Sequence, residues 1–373
     1  MAEPLKSQFG AAIPKRIASE IVHVFPAFNR TGFERDALHG FESLELLDRG
    51  RQLGRVLHAY LPPHFPDAVD LLLATLPATR AGDGGMAAFF YLPHTEFVRA
   101  FGVGHFEPSM RALHALTQHF TGEFAIRPFL EHHQAETLDR LREWTRDPNA
   151  HVRRLVSEGT RPRLPWAPRL RAFQQDPTPV LALLDVLRDD PELYVRRSVA
   201  NNLNDIGKDH PQRLVETAAQ WMDGASDERR WIVQHALRSA VKRGDAAALA
   251  VLGYGAASTL TVESTRIAPA RPALGGSVSI STTLHNPSRR TQRVIVDVLV
   301  HFVKANGRTN PKVFKMSVVE IAAGASVTLR KTISLANLTT RKHYPGRHRV
   351  ELQLNGQVTP VGGFTAVAAN HDA

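Results

Sequence analysis

The sequence predicts a mainly α-helical protein in two domains: an array of helical hairpins over residues 1–256, then an all-β sandwich over residues 257–373. Two observations carry this expectation. A segment with one apolar and charged pattern recurs within the first part, and after Gly253-Tyr-Gly255 the apolar spacing changes from helical to alternating. A third observation marks the same division. The net charge is +10, and from Ser258 onward 15 Lys and Arg stand against 5 Asp and Glu, so the whole excess belongs to the second part and the first is neutral.

In the first part, Pro62, Pro63 and Pro66 punctuate one pair of apolar-periodic segments, and Pro177 and Pro179 open another. The stretch from Ala78 to Gly85 clusters Gly and Asp without apolar periodicity and is expected to be a loop. Three segments then share one pattern. The first begins Asp147-Pro-Asn-Ala-His-Val-Arg-Arg-Leu-Val and the second Asp190-Pro-Glu-Leu-Tyr-Val-Arg-Arg-Ser-Val; the third, Asp227 to Ala240, keeps the apolar positions without the arginine pair. Asp147 and Asp190 can cap free N–H groups, and Pro148 and Pro191 suit a first helical position, where no N–H is needed. Val195, Val199 and Leu203 form a stripe with a spacing of four, and Gly159 and Gly207 are expected to end their helices in the left-handed conformation. The offsets, 43 residues from Val152 to Val195 and 37 from Val195 to Ile232, fit HEAT-like arrays, which offer a groove along one side.

In the second part, alternating runs at Thr259–Thr265, Ser277–Leu284, Arg293–Phe302, Val313–Ile321, Ser326–Ser334 and His348–Leu354 are separated by turns such as Asn286-Pro287, Ala305-Asn-Gly307 and Asn355-Gly356. Six or seven short strands at this spacing predict an immunoglobulin-like sandwich. Cysteine is absent, which removes the inter-sheet disulfide, a thiol nucleophile and a thiolate-bound metal. Met1 to Gly10 contains no apolar run and no stretch approaches the roughly 20 apolar residues of a membrane span, so a cytoplasmic protein is expected. No phosphate-binding loop, GxSxG elbow or HExxH helix occurs; His114 and His119 are five apart, and neither a metal nor a cofactor is expected.

Candidate chemistry gathers around Ser157-Glu-Gly-Thr-Arg-Pro-Arg-Leu-Pro-Trp-Ala-Pro168. Glu158 falls in the last turn of its helix, where the helix dipole disfavours a carboxylate by about 0.3–1 kcal/mol. Arg154, four residues earlier, offers a plain ion-pair explanation. Trp166, between Pro165 and Pro168, belongs to a stiff non-helical segment and could simply pack over a helix end. Glu123 precedes Glu158 by 35 residues, close to one repeat, and is either its neighbour along the groove or a solvated acid after Gly122. Arg153, Arg154, Arg161, Arg163, Arg169, Arg171, Arg196 and Arg197 crowd the same region, as suits bidentate phosphate contacts or solvated outer faces.

The string Val152-Arg-Arg-Leu-Val-Ser-Glu-Gly-Thr-Arg-Pro-Arg-Leu-Pro-Trp166, followed by Tyr194-Val-Arg-Arg-Ser-Val-Ala-Asn-Asn-Leu-Asn-Asp205, resembles the HEAT-repeat DNA alkylation-repair glycosylases. It is most similar to their AlkC branch, in which an immunoglobulin-like domain follows the repeats. The resemblance covers essentially the whole chain. It implies a monofunctional glycosylase acting on cationic bases such as 3-methyladenine and 3-methylcytosine in double-stranded DNA, without base flipping. It further implies an active site of Glu123, Glu158 and Trp166. DNA contacts are implied for Arg153, Arg154, Arg161, Arg163, Arg169, Arg196, Arg197, Asn201, Asn202 and the basic sandwich. A monomer that joins the nucleoid when bound to DNA is expected. The alternative from another class is a non-enzymatic HEAT-repeat protein that binds DNA structure or serves as a scaffold.

Overall fold

Gly50 and Gly54 lie one turn apart on the helix Leu46–Tyr60, and a Cβ at these positions would stand 2.5 Å from Leu92 Cγ and 3.0 Å from the Phe97 nitrogen. That bare face lets the helix Leu92–Phe101 pack directly against it. The same close packing recurs in the repeats. The helix Ala150–Gly159 buries Val152, Leu155 and Val156 and lies against the helix Leu193–Ile206, which buries Val195, Val199 and Leu203. The helix Thr178–Leu187 packs on both. The third segment forms the helix Asp227–Lys242, and Asn204 donates from Nδ2 to the Ala236 carbonyl at 2.6 Å. This is HEAT-like repeat architecture. The computed structural model describes residues 5–78, 87–255, 258–338 and 341–368. The loop expected over 78–85 falls outside these residues except for Ala78, and so does the junction at 256–257.

Two local expectations change. Asp147 and Asp190 stand ahead of the caps: each accepts from the backbone N–H two residues on, of Asn149 (2.8 Å) and Glu192 (2.9 Å), and Asn149 caps the first repeat helix by accepting from His151. The proline therefore belongs to the turn and not to the helix. Gly159 and Gly207 keep right-handed geometry and serve close packing instead, since a Cβ would stand 2.6 Å from Ile126 Cγ2 and 2.2 Å from Leu214 Cδ2 respectively.

The strands are β1 Thr261–Ala268, β2 Ser277–His285, β3 Gln292–Val303, β4 Thr309–Ile321, β5 Ser326–Ser334, β6 Gly346–Leu354 and β7 Gln357–Ala366. They form two antiparallel sheets, β1-β2-β5 and β4-β3-β6-β7, of immunoglobulin-like type. Val278 and Ile280 of one sheet meet Val298, Val300, Val350 and Leu352 of the other in a shared core. The Asn355-Gly356 turn, with both residues at positive φ, joins β6 to β7, as a tight hairpin requires. β7 was not expressed as an alternating run because Pro360, Gly362 and Gly363 interrupt it.

The chain divides into two compact units, residues 1–214 with 225–236 and residues 215–224 with 237–373. The expected boundary at 256 follows the change of secondary structure, whereas the packing division lies earlier. Leu249 and Tyr254 bury the outer face of β3 through Ile295, which draws these helical residues into the unit of the strands. Among the described residues no helix is long and apolar enough to cross a membrane.

Covering both faces of β3 also buries Asp297, two residues beyond Ile295 at a bulge against β4. Burial pushes its carboxyl up to about 6, against the opposing charges of Lys315 and Lys242. Because the folded value lies above the roughly 3.9 of an unfolded Asp, ionisation opposes folding once the pH exceeds both values, and the penalty vanishes below about 4. Asp297→Asn should therefore stabilise the protein at pH 8 by on the order of 1–3 kcal/mol and give no gain near pH 3.5. Thermal melts of both proteins at the two pH values check this.

Candidate active site

The buried face of the helix Ala150–Gly159 fixes its rotation, and Arg154 and Glu158 then lie one turn apart on an adjoining face. Glu158 is 6% exposed. Its Oε1 accepts from Arg161 Nη1 at 2.6 Å and its Oε2 from Ser198 Oγ, on the neighbouring repeat helix, at 2.6 Å. Arg161 continues to Asp205, donating from Nε at 2.8 Å, and Asp205 also receives Lys208 Nζ at 2.7 Å. Asn202 is fully buried beneath this row and donates to the Ser157 carbonyl (2.8 Å) and Thr160 Oγ1 (3.1 Å).

Glu123 comes from the turn between the helices Phe106–Thr117 and Arg127–His132. Gly122 brings this turn onto the repeat helix, since a Cβ there would stand 3.3 Å from Leu155 Cδ2. Glu123 is 9% exposed, not solvated, and its Oε2 accepts from Arg154 Nη1 at 2.7 Å. The other guanidinium nitrogen, Nη2, stands 3.6 Å from Glu158 Oε1. One arginine thus lies between the two carboxylates, its Cζ 4.9 Å above the Tyr194 ring. Burial pushes the Glu123 carboxyl above the usual carboxylate range; Arg154 pulls it down and Glu158 raises it again.

Trp166 is 78% exposed and has φ 64°, a left-handed backbone that a bulky side chain rarely adopts. Trp166, Glu123 and Glu158 line one cavity of about 860 Å³. Phe89, Phe120 and Phe124 supply apolar wall, and Glu45 and Asp48 also line the cavity, paired with Lys6 and Arg51 respectively. Four carboxylates therefore face this space, against Lys6, Arg51 and Arg161 as cations.

The arginines divide into two groups. Arg153 and Arg196 each donate from Nη1 to the Asp and Pro carbonyls ahead of their own helix, at 2.8 and 3.0 Å and at 2.7 and 2.7 Å. Arg153 also forks onto Asp190 of the next repeat (2.6 and 3.1 Å), and Arg163 grips Asp209. These side chains, with Arg154, Arg161 and Asn202, are committed inside the protein. Arg169 and Arg197 are exposed, and Asn201 is half-buried with His235 Nε2 3.2 Å from its Oδ1. Burial of Asn202 contradicts its expected place among the DNA contacts, because helix packing turns its side chain inward. Ser198, Asp205 and Tyr194 support the acids although sequence reasoning gave them no role; their signal was their place in the second arginine-bearing segment. Nothing in the sequence linked Glu45 and Asp48 to the site.

Residues 119–241 match the family model described as DNA alkylation repair enzyme, and residues 261–368 match that of the YhaZ C-terminal Ig-like domain. The uncharacterized protein YhaZ of Bacillus subtilis (strain 168) is 38% identical over 92% of this chain and 95% of its own length. The structure of Pseudomonas fluorescens alkylpurine DNA glycosylase AlkC, bound to DNA containing an abasic-site analogue, is similar at 38% identity with a TM-score of 0.91, over 98% of this chain and all of that one. The chain belongs to the DNA alkylation repair enzyme family, in the AlkC branch that joins HEAT-like repeats to an Ig-like domain.

Proposed function

We propose that this protein is a DNA glycosylase that hydrolyses the N-glycosidic bond of cationic alkylated bases, 3-methyladenine and 3-methylcytosine, in duplex DNA. The observation that carries the reading is the pair of buried carboxylates, Glu123 and Glu158, facing the same cavity as Trp166. Its likeness to a DNA-bound alkylpurine glycosylase over almost the whole chain supports it. A binder of phosphate alone gains nothing from burying Glu123 and Glu158 at this cavity, since acids repel the backbone.

A base methylated on a ring nitrogen is positively charged and leaves as a neutral molecule, so no general acid is needed. The barrier lies in forming positive charge on the sugar at C1′, as in other glycoside cleavage. Glu158, with both oxygens held by Arg161 and Ser198, supplies a fixed negative charge for that cation. Glu123 accepts through Oε2 alone, which leaves Oε1 to orient the attacking water and take its proton. Its raised pKa makes it a stronger base than an ordinary carboxylate. Trp166, standing out from the surface, adds cation–π attraction to the charged base or sugar while the base stays in the duplex. Arg169, Arg197 and the basic sandwich provide free cations for the phosphates, with affinity that falls as salt rises.

The direct test is incubation with 3-methyladenine-containing DNA followed by alkaline strand scission. Cleavable sites should exceed spontaneous depurination, and a yield equal to the background refutes the activity. Glu158→Gln should reduce base release by on the order of 100-fold or more while the protein stays folded and binds undamaged DNA; unchanged turnover returns Glu158 to a structural ion pair. Arg154→Gln leaves two buried acids without the cation between them and should cost about 3–5 kcal/mol at pH 8. The variant's Glu123 would have a still higher pKa, so the loss should shrink toward pH 5 as that carboxyl takes up a proton. Thermal melts at both pH values read this directly.

A further inference from the structure

The segment after the helix Ala150–Gly159 has little backbone structure of its own. Pro162, Pro165 and Pro168 lack N–H donors, and the hydrogen bonds that remain are long: Arg161 N to Glu158 O, 3.4 Å; Ala167 N to Leu164 O, 3.4 Å; Leu170 N to Pro162 O, 3.3 Å. Yet this segment carries Arg161, the partner of Glu158, and Trp166 in a disfavoured backbone conformation. Strain of that kind persists only where the surroundings impose it.

The restraint comes from Arg127, at the start of the helix Arg127–His132 and 4% exposed. Its Nη1 donates to the carbonyls of Gly159 (3.1 Å) and Arg161 (3.0 Å), and its Nη2 to that of Pro168 (2.5 Å). The three carbonyls bracket the segment: the end of the repeat helix, the residue that holds Glu158, and a point two residues beyond Trp166. Its Nε finds no partner, and Arg127 forms no ion pair among the described residues. A guanidinium buried without a carboxylate in contact is costly, and here its hydrogen bonds go to backbone oxygens, with Glu131 and Glu123 acting on its charge from further away. Burial pulls its pKa down to about 10, which still leaves it charged at neutral pH.

We propose that Arg127 is a positioning residue: its fork clamps residues 159–168 and so fixes Trp166, and the backbone of Arg161, at the cavity. The catalytic side of this proposal rests on the glycosylase reading; the mechanical side does not. The planar fork matters because its two terminal nitrogens reach the Gly159 and Arg161 carbonyls and the Pro168 carbonyl separately, whereas an ammonium has all its donors on one nitrogen.

The experiment uses the full chain with R127Q and R127K, each alone and combined with W166A. Nanosecond anisotropy of Trp166 emission, isolated by subtracting the matching W166F protein, should decay faster in both single variants. Single-turnover release of 3-methyladenine should fall about tenfold in R127Q while affinity for undamaged DNA stays within about twofold. Adding W166A to R127Q should lower the rate no further than W166A does alone, as expected for two changes that disable one element. R127K keeps the charge and gives the same directions should R127Q fail to fold. Wild-type anisotropy in both variants, or independent multiplication of the two rate losses, overturns the proposal. If the wild-type protein releases no base, the glycosylase reading fails, and the anisotropy still decides whether Arg127 holds Trp166.

Discussion

Two acids withdrawn from water beside each other demand a cation, and the position of Arg154 between Glu123 and Glu158 is the constraint on which the site depends. Bringing an ion into a protein interior costs several kcal/mol even after relaxation, so an unpaired acid would simply take up a proton. The protein answers with alternating charges. Glu123, Arg154, Glu158, Arg161, Asp205 and Lys208 run in sequence across the first two repeats, and each acid meets at least one cation. Such a chain keeps carboxylates paired at the edge of a cavity without surrendering them to solvent. It also leaves an asymmetry. Glu158 is bound through both oxygens, while Glu123 is bound through one and is pushed up by burial.

The repeats supply the scaffold for this row, and their arginines divide the work by position. The first arginine of each pair, Arg153 or Arg196, turns back to its own helix start and ties down the Asp-Pro turn. The second differs between repeats: Arg154 is drawn in by Glu123, whereas Arg197 stays exposed. One sequence pattern thus provides both stapling and site chemistry, the second arginine of the first pair being the one that meets Glu123. Glycine serves the same economy of space. Gly122 and Gly159 allow the turn that bears Glu123 to lie against the helix that bears Glu158.

What could be read from the sequence was what is local or periodic. The repeat helices, the buried stripe Val195, Val199 and Leu203, and most of the strands follow from spacing and turn residues alone. Glu158 stands out as a carboxylate in a last helical turn, against the dipole, and Trp166 as an aromatic flanked by prolines, but only the resemblance implies a shared site for them. Contacts set by the stacking of repeats were not legible. Asn202 reads as a polar groove residue beside Asn201, yet the rotation of its helix sends it into the core. Glu45 and Asp48, more than 70 residues before Glu123, reach the same cavity through packing that no short pattern records. Arg127 reads as an ordinary helix-start residue before proline, and only the folded segment 159–168 shows what it holds.

The distribution of charge joins these levels. Under the proposed function the protein must attract phosphate, while a site that favours positive charge on a sugar must repel it. Placing both in one surface would make each weaken the other, because exposed charges within about 10 Å still interact at ordinary salt. Here the excess positive charge is carried after Ser258, and the preceding part is neutral overall, with Glu123 and Glu158 at one cavity. Glu123 and Glu158 are each paired with a buried arginine, Arg154 and Arg161, so that their charge is largely balanced within the repeats. Net attraction for a polyanion can then be changed by substitutions after Ser258 that leave the acids lining the cavity untouched.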